Sequence, residues 1–364
     1  MPLLLNMSGD DRELMIKVLT HPDFDTRLMP WKSAKQFHSF LDSHEVWERV
    51  AVYKEVLPQS ADDSPTNFYA FVRKDVDLLL KDLLDSPEAH NMCLESQPVF
   101  ANDGSRAYTD FASGTWLETV QAATRNTVNP DATPLEIFLY ADGAEARSRK
   151  HRYHPLLLFL GNFTLDAMRS QRGYVRLAHM SVLAKEDFPQ VSDKEFTRIQ
   201  RNVLFGTLET AIKRLKELSY TGFYHDCTDG EQRFFVPTIA AFVGDIKEAN
   251  DVFGIAPHPA MHSDISTLVC SQDMNKPTHQ PATRTQKQMQ EAIVKAKMLE
   301  EQSLNRDAKA ALKEHSLSLS RLTPLANFAH VDDVFTLYYP DRLHHSNRGV
   351  AEDPTKTAEA ELLY

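Results

Sequence analysis

The chain has 364 residues and carries 40 Lys and Arg against 51 Asp and Glu, a formal net charge of −11, with 42% hydrophobic and 25% charged residues. That composition excludes a disordered, collagen-like or membrane-spanning chain, and the longest apolar runs, such as Pro155–Leu160, fall far short of the ~20 residues that cross a bilayer. Three dispersed cysteines, no basic apolar leader and an acidic balance point to an intracellular, unsecreted protein in a reducing compartment, which does not coat nucleic acid by bulk charge.

Asp11–Thr20 places Leu14, Met15, Val18 and Leu19 at helical spacing, and Trp31–Leu41 reads as a second short helix after Pro30. A polar, proline-flanked loop follows at Pro58–Thr66, then a helix at Val76–Leu84. From Leu135 the texture changes. Leu135–Tyr140, His154–Leu160 and Tyr174–Val182 are strand-like and suggest an antiparallel meander. The clearest helix comes next: Ser192 and Glu195 form a predicted capping box, and Phe196, Ile199, Val203, Leu208, Ile212, Leu215 and Leu218 recur at three- and four-residue steps. Thr228-Asp229-Gly230 signals a hairpin, and Thr238–Val243 runs apolar into Gly244-Asp245 as a strand covered on both faces would. Cys270–Pro281 reads as a polar linker. Thr283–His315 reads as one long helical stretch with a narrow apolar stripe, a solvent-facing or insertion helix.

Three strands, a helix and a further strand, with an acid closing the first strand and the last, is the order of a ribonuclease-H-like α/β core: a mixed sheet with flanking helices, here with accessory helices and a helical insertion. The expected organisation is an accessory region over 1–130, the core over 131–256, linker and insertion over 257–330, and a C-terminal segment over 331–364.

Two-metal phosphodiester chemistry needs carboxylates that converge on Mg²⁺ ions about 4 Å apart, and hard cations select oxygen ligands on rigid strand ends. Asp142 and Asp245 each close an apolar strand beside a glycine. The competing reading makes Asp142-Gly143 a hairpin turn and Asp245 a helix cap. Asp341 and His344 would share one helix face, where the His could orient an acid; a cap and a partly buried ring is the alternative. Arg147, Arg149, Lys150 and Arg152 form a basic run that suits either a phosphate backbone or a solvated hairpin tip. His258 and His262, with Cys270 and His279 downstream, do not make a standard zinc set and read as surface histidines, so zinc is doubtful. Neither a Gly-rich phosphate loop nor a Gly-x-Ser-x-Gly elbow occurs, which argues against nucleotide-binding and serine hydrolase classes.

Several segments, in order over residues 28–350, together resemble the Plavaka group of Kyakuja-Dileera-Zisupton (KDZ) transposases, which are distantly similar to CACTA transposases. They are Trp31-Lys32-Ser33 with Phe37–Leu41, Tyr108-Thr109-Asp110 with Gly114-Thr115-Trp116, Pro134–Asp142, Leu160-Gly161-Asn162-Phe163, Asp226–Gly230, Pro237–Asp245, Asp333-Val334-Phe335, Pro340–His344 and Gly349-Val350. The resemblance implies a ribonuclease-H-like transposase core that acts on transposon DNA in the nucleus with Mg²⁺ or Mn²⁺, and it leaves room for a homo-oligomer. It also implies that Asp142 and Asp245 are the first two acids of an Asp-Asp-Glu triad, and that Asp341 and His344 form the Asp-x-x-His element before the third. The family's Cys-x-x-Cys after the second acid is missing, and no evident catalytic Glu follows Val350. Two functional classes therefore stand: a DNA strand-transfer enzyme, here expected to be incomplete, or a catalytically silent DNA-binding or protein-interaction module.

Overall fold

Ala132–Ala141 forms a ten-residue strand at the centre of the sheet because alternate side chains have two different covers. Leu135, Ile137, Leu139 and Ala141 are fully buried, whereas Glu136, Phe138 and Tyr140 face the other way. The computed structural model describes residues 47–57, 65–145, 152–170, 172–273 and 280–340. The chain divides into two compact units, Met1–Glu48 and Arg49–Tyr364, and nearly all of the described residues belong to the second. The predicted helices Asp11–Thr20 and Trp31–Leu41 lie outside the described residues.

Among the described residues one mixed sheet contains β1 (Trp47–Glu55), β2 (Thr66–Arg73), β3 (Ala132–Ala141), β4 (Pro155–Leu160), β5 (Tyr174–His179), β6 (Phe223–Asp226), β7 (Gln232–Gly244) and β8 (Tyr338–Pro340). Its order is β1-β2-β5-β4-β3-β7-β6, with β8 also on β7. Strands β3, β4 and β5 form the expected antiparallel meander, β7 runs parallel to β3, and β8 runs parallel to β7. Strand β6 returns on β7 through the hairpin that Thr228-Asp229-Gly230 signals, and Arg233 pairs with Asp229 at 2.6 Å across it. The region before residue 130 thus contributes two strands, β1 and β2, to the main sheet.

The helices are α1 (Val76–Leu84), α2 (Thr115–Thr127), α3 (Asp193–Thr221), α4 (Ile246–Phe253), α5 (Gln286–Glu301) and α6 (Asn305–Glu314). Leu79, Leu80 and Leu83 of α1, Leu208, Ile212 and Leu215 of α3, and the inward residues of β3 and β4 belong to one apolar core. Each such side chain contributes about 1.5–3 kcal/mol of burial, which fixes the register of β3. On the opposite side of β3, Phe111 packs edge-on against Phe138 with ring centroids 4.9 Å apart.

Helix α3 begins as expected, with Ser192 Oγ accepting from the Glu195 amide at 3.3 Å. The return half of the predicted box is replaced: the Glu195 carboxylate takes a hydrogen bond from Arg198 at 2.8 Å instead. The expected single helix Thr283–His315 is two helices. Thr285 and Gln288 make a full capping box at the start of α5, and the chain turns after Glu301 through Ser303, whose φ is 63°. Alanines then let α5 and α6 pack closely, through Ala296, Ala308 and Ala311. Met289, Ala292 and Ile293 join the main core, so the apolar stripe faces the protein interior rather than solvent. Arg284, itself fully buried, gathers this region by donating to the carbonyls of His262, Asp264 and His315. No helix among the described residues is long and apolar enough to cross a membrane.

Candidate functional site

Strands β3 and β7 pair in parallel, with Leu139 opposite Phe242 and Tyr140 opposite Val243. The paired register ends at Tyr140 and Val243, and Asp142 and Asp245 directly follow the carboxyl ends of these two neighbouring strands. Neighbouring strands lie about 4.8 Å apart. Gly244 keeps them close here: a Cβ built on it would stand 3.2 Å from the Ala141 carbonyl oxygen.

Each acid is also held by its own chain. Tyr140, two residues before Asp142 and therefore on the same face of β3, donates its hydroxyl to Asp142 Oδ2 at 3.4 Å. Asp245 is the N-cap of α4, its Oδ1 accepting from the Glu248 amide at 2.6 Å. The cap alternative for Asp245 is thus realised.

Strand β8 reaches this edge as well, with Pro340 opposite Gly244. Asp341 and His344, which follow in the sequence, lie outside the described residues. So do Arg147, Arg149 and Lys150; of Arg152 only the backbone is described, in a two-residue ribbon with Glu145. Among the described residues no three His, Cys, Asp or Glu side chains group as a metal cluster. His262 Nδ1 is 3.2 Å from the Val269 carbonyl, a contact that serves its loop, and His279 lies outside the described residues.

A family model described as Plavaka transposase matches residues 31–355. The chain belongs to that family. It is a transposon-derived, transposase-like protein on a mixed α/β fold. No curated protein matches it.

Other groups in this Plavaka chain carry chemistry that the sequence pattern does not single out. Glu136 lies in the middle of β3, 1% exposed, and neither carboxyl oxygen has a hydrogen-bond partner. Burial, helped by the nearby Asp110 charge, pushes its carboxyl up to about 8. A lone Glu inside Pro-Leu-Glu-Ile-Phe-Leu-Tyr is the available signal. His154, just before β4, stands 3.0 Å from Glu248 in the first turn of α4. No local pattern joins residues almost a hundred positions apart. Asn162 of the matched Leu160–Phe163 segment is structural: it accepts from the Glu136 amide and donates to the carbonyls of Cys93 and Pro134.

Proposed function

We propose that this chain is a KDZ-type, CACTA-like DNA transposase with a ribonuclease-H-like core, whose strand cutting and joining centres on Asp142 and Asp245 and is reduced by the lack of an evident third acid. The observation that supports the proposal is the parallel β3–β7 register, since Asp142 and Asp245, about a hundred residues apart in the chain, directly follow these neighbouring strands. The sheet order β5-β4-β3-β7-β8, with β3, β7 and β8 parallel and β4 antiparallel, supports the core assignment. An all-oxygen donor pair suits Mg²⁺ or Mn²⁺. When bound, the ion supplies Lewis acidity at the phosphodiester and eases ionisation of the attacking hydroxyl.

The protein's own groups then have distinct roles. Tyr140 orients Asp142, and the first turn of α4 orients Asp245, so both carboxylates are fixed before DNA arrives. Asp341 and His344 complete the Asp-x-x-His element after β8, while Arg147, Arg149, Lys150 and Arg152 contact the phosphate backbone. Such a protein acts on DNA in the nucleus.

The test is Mn²⁺-dependent nicking of plasmid DNA by the full chain. Nicking that disappears in Asp142→Ala supports the proposal. Salt-sensitive DNA binding without any nicking replaces it with a silent DNA-binding module, and absence of both binding and nicking removes the DNA reading altogether.

A further inference from the structure

A cavity of about 340 Å³ opens at the same sheet edge as the acid pair. Gly143, directly after Asp142, lines it on one side, and Glu248, three residues after Asp245, lines it on another. Across from them α3 contributes Thr197, Gln200 and Leu204, and the chain after β5 adds Met180 and Val182. The walls mix apolar patches from Met180, Val182 and Leu204 with polar and charged side chains. Its volume is at the small end of ligand cavities, which run from about 300 to 1,000 Å³. It has room for one nucleoside and none for a duplex.

The charges in the wall narrow the choice. Arg201 is held by Asp251 at 3.0 Å, and Lys247 adds a second cation to the wall. Glu248 Oε2 faces His154, but Glu248 Oε1 is buried and has no hydrogen-bond partner. A buried acceptor without a donor is costly, so the occupant that completes this site brings an N–H group. A nucleobase offers what the wall lacks: two flat apolar faces for Met180, Val182 and Leu204, and an N–H edge for Glu248.

We propose that the cavity receives a single base turned out of the DNA beside the phosphate held at Asp142 and Asp245, its amino edge donating to Glu248 Oε1. This rests on the strand-cleavage reading above for the position of the DNA. Extrusion of one base costs only its stacking and pairing, least where a strand is already nicked or single. The carboxylate acceptor favours bases with an exocyclic amine, cytosine above all.

The full chain, without divalent metal, is titrated with deoxycytidine 5′-monophosphate and with base-free deoxyribose 5-phosphate, binding being followed by calorimetry. Saturable binding of the nucleotide alone is expected, weakened about tenfold in Glu248→Met and abolished in Thr197→Phe, which enters the cavity from an exposed position of α3. Thermal unfolding of both variants checks the fold; if Glu248→Met unfolds, Thr197→Phe decides. Equal binding of the base-free sugar phosphate, or nucleotide binding unaltered by Thr197→Phe, overturns the proposal. Nicking of plasmid DNA by a chain that binds no nucleotide overturns the cavity assignment alone. Nucleotide binding by a chain that never nicks overturns the cleavage reading and leaves the cavity assigned.

Discussion

Gly161 lies directly against the carboxyl group of Glu136, so that a Cβ on the glycine would stand 2.7 Å from Glu136 Oε2. The carboxyl thus fills a space from which both water and side chains are excluded, and it folds in its neutral form, with a pKa of about 8 against an ordinary 4.5. Between those values the folded chain holds a proton that the unfolded chain has lost. Stability is therefore full below about pH 4.5 as far as this group is concerned, and falls as pH rises toward 8. The interval corresponds to at most about 5 kcal/mol. Glu136→Gln is expected to flatten the decline and to be more stable than the parent at pH 8 in urea unfolding. Parallel pH profiles for the two proteins would refute the assignment.

Arg284 is the fully buried cation of the insertion, and burial lowers its guanidinium to about 10, leaving it charged at neutral pH. It donates to His315 O at 2.8 Å, His262 O at 2.7 Å and Asp264 O at 3.0 Å, joining the chain on both sides of α5 and α6. Arg284→Met keeps much of the volume and strands three carbonyls. The expected cost is upward of about 3 kcal/mol, because each buried acceptor left bare costs about 1–3 kcal/mol. Arg284→Lys, with one compact ammonium, is expected to recover only part of it. A midpoint in urea for Arg284→Met within error of the parent would show that the carbonyls find other donors.

Asp245 serves as both cap and proposed metal ligand, and substitutions can separate the two. Asparagine caps helices as well as aspartate does, whereas alanine costs about 0.5–2 kcal/mol. Asp245→Asn is therefore expected to unfold within about 0.5 kcal/mol of the parent yet to lose at least about a hundredfold in Mn²⁺-dependent nicking, the loss typical of removing one charge-stabilising group. Asp245→Ala should lose both. If Asp245→Asn nicks DNA at the parent rate, Asp245 is a cap and nothing more.

The elements legible in the sequence are those whose pattern is local. Helix α1 coincides with its predicted span, α3 follows its apolar period, and the Thr228-Asp229-Gly230 turn gives the β6–β7 hairpin. Strand β1 is harder to read, because the mixed composition of the first sixty residues suggests small accessory pieces, and β2 follows directly on the polar Pro58–Thr66 loop. The break at Ser303 leaves no mark, since the apolar stripe of α5 continues in spacing beyond it. Three-residue β8 has no periodicity at all and exists only through its parallel pairing with β7. The two acids are legible as strand ends, but the pairing of their strands is a property of long-range parallel register, set by the buried faces of β3 and β7 rather than by any residue near Asp142 or Asp245. Glu136 and the His154–Glu248 contact belong to the same nonlocal class.

Asn162 joins three parts of the chain from a position only 2% exposed. Its Oδ1 accepts from the Glu136 amide at 2.9 Å, and its Nδ2 donates to Cys93 O at 2.9 Å and Pro134 O at 3.1 Å. It thereby fixes the start of β3, the strand that ends at Asp142. Asn162→Ala removes all three bonds and is expected to cost about 2–4 kcal/mol. Asn162→Asp preserves the acceptor but turns the donor into a second acceptor aimed at two carbonyls. When ionised it is repelled, so its deficit relative to the parent should widen from pH 5 to pH 8, while that of Asn162→Ala stays constant. Urea unfolding of the three proteins at both pH values reads this directly. A constant gap for Asn162→Asp would mean that Nδ2 contributes little and that the Glu136 amide bond alone anchors the strand.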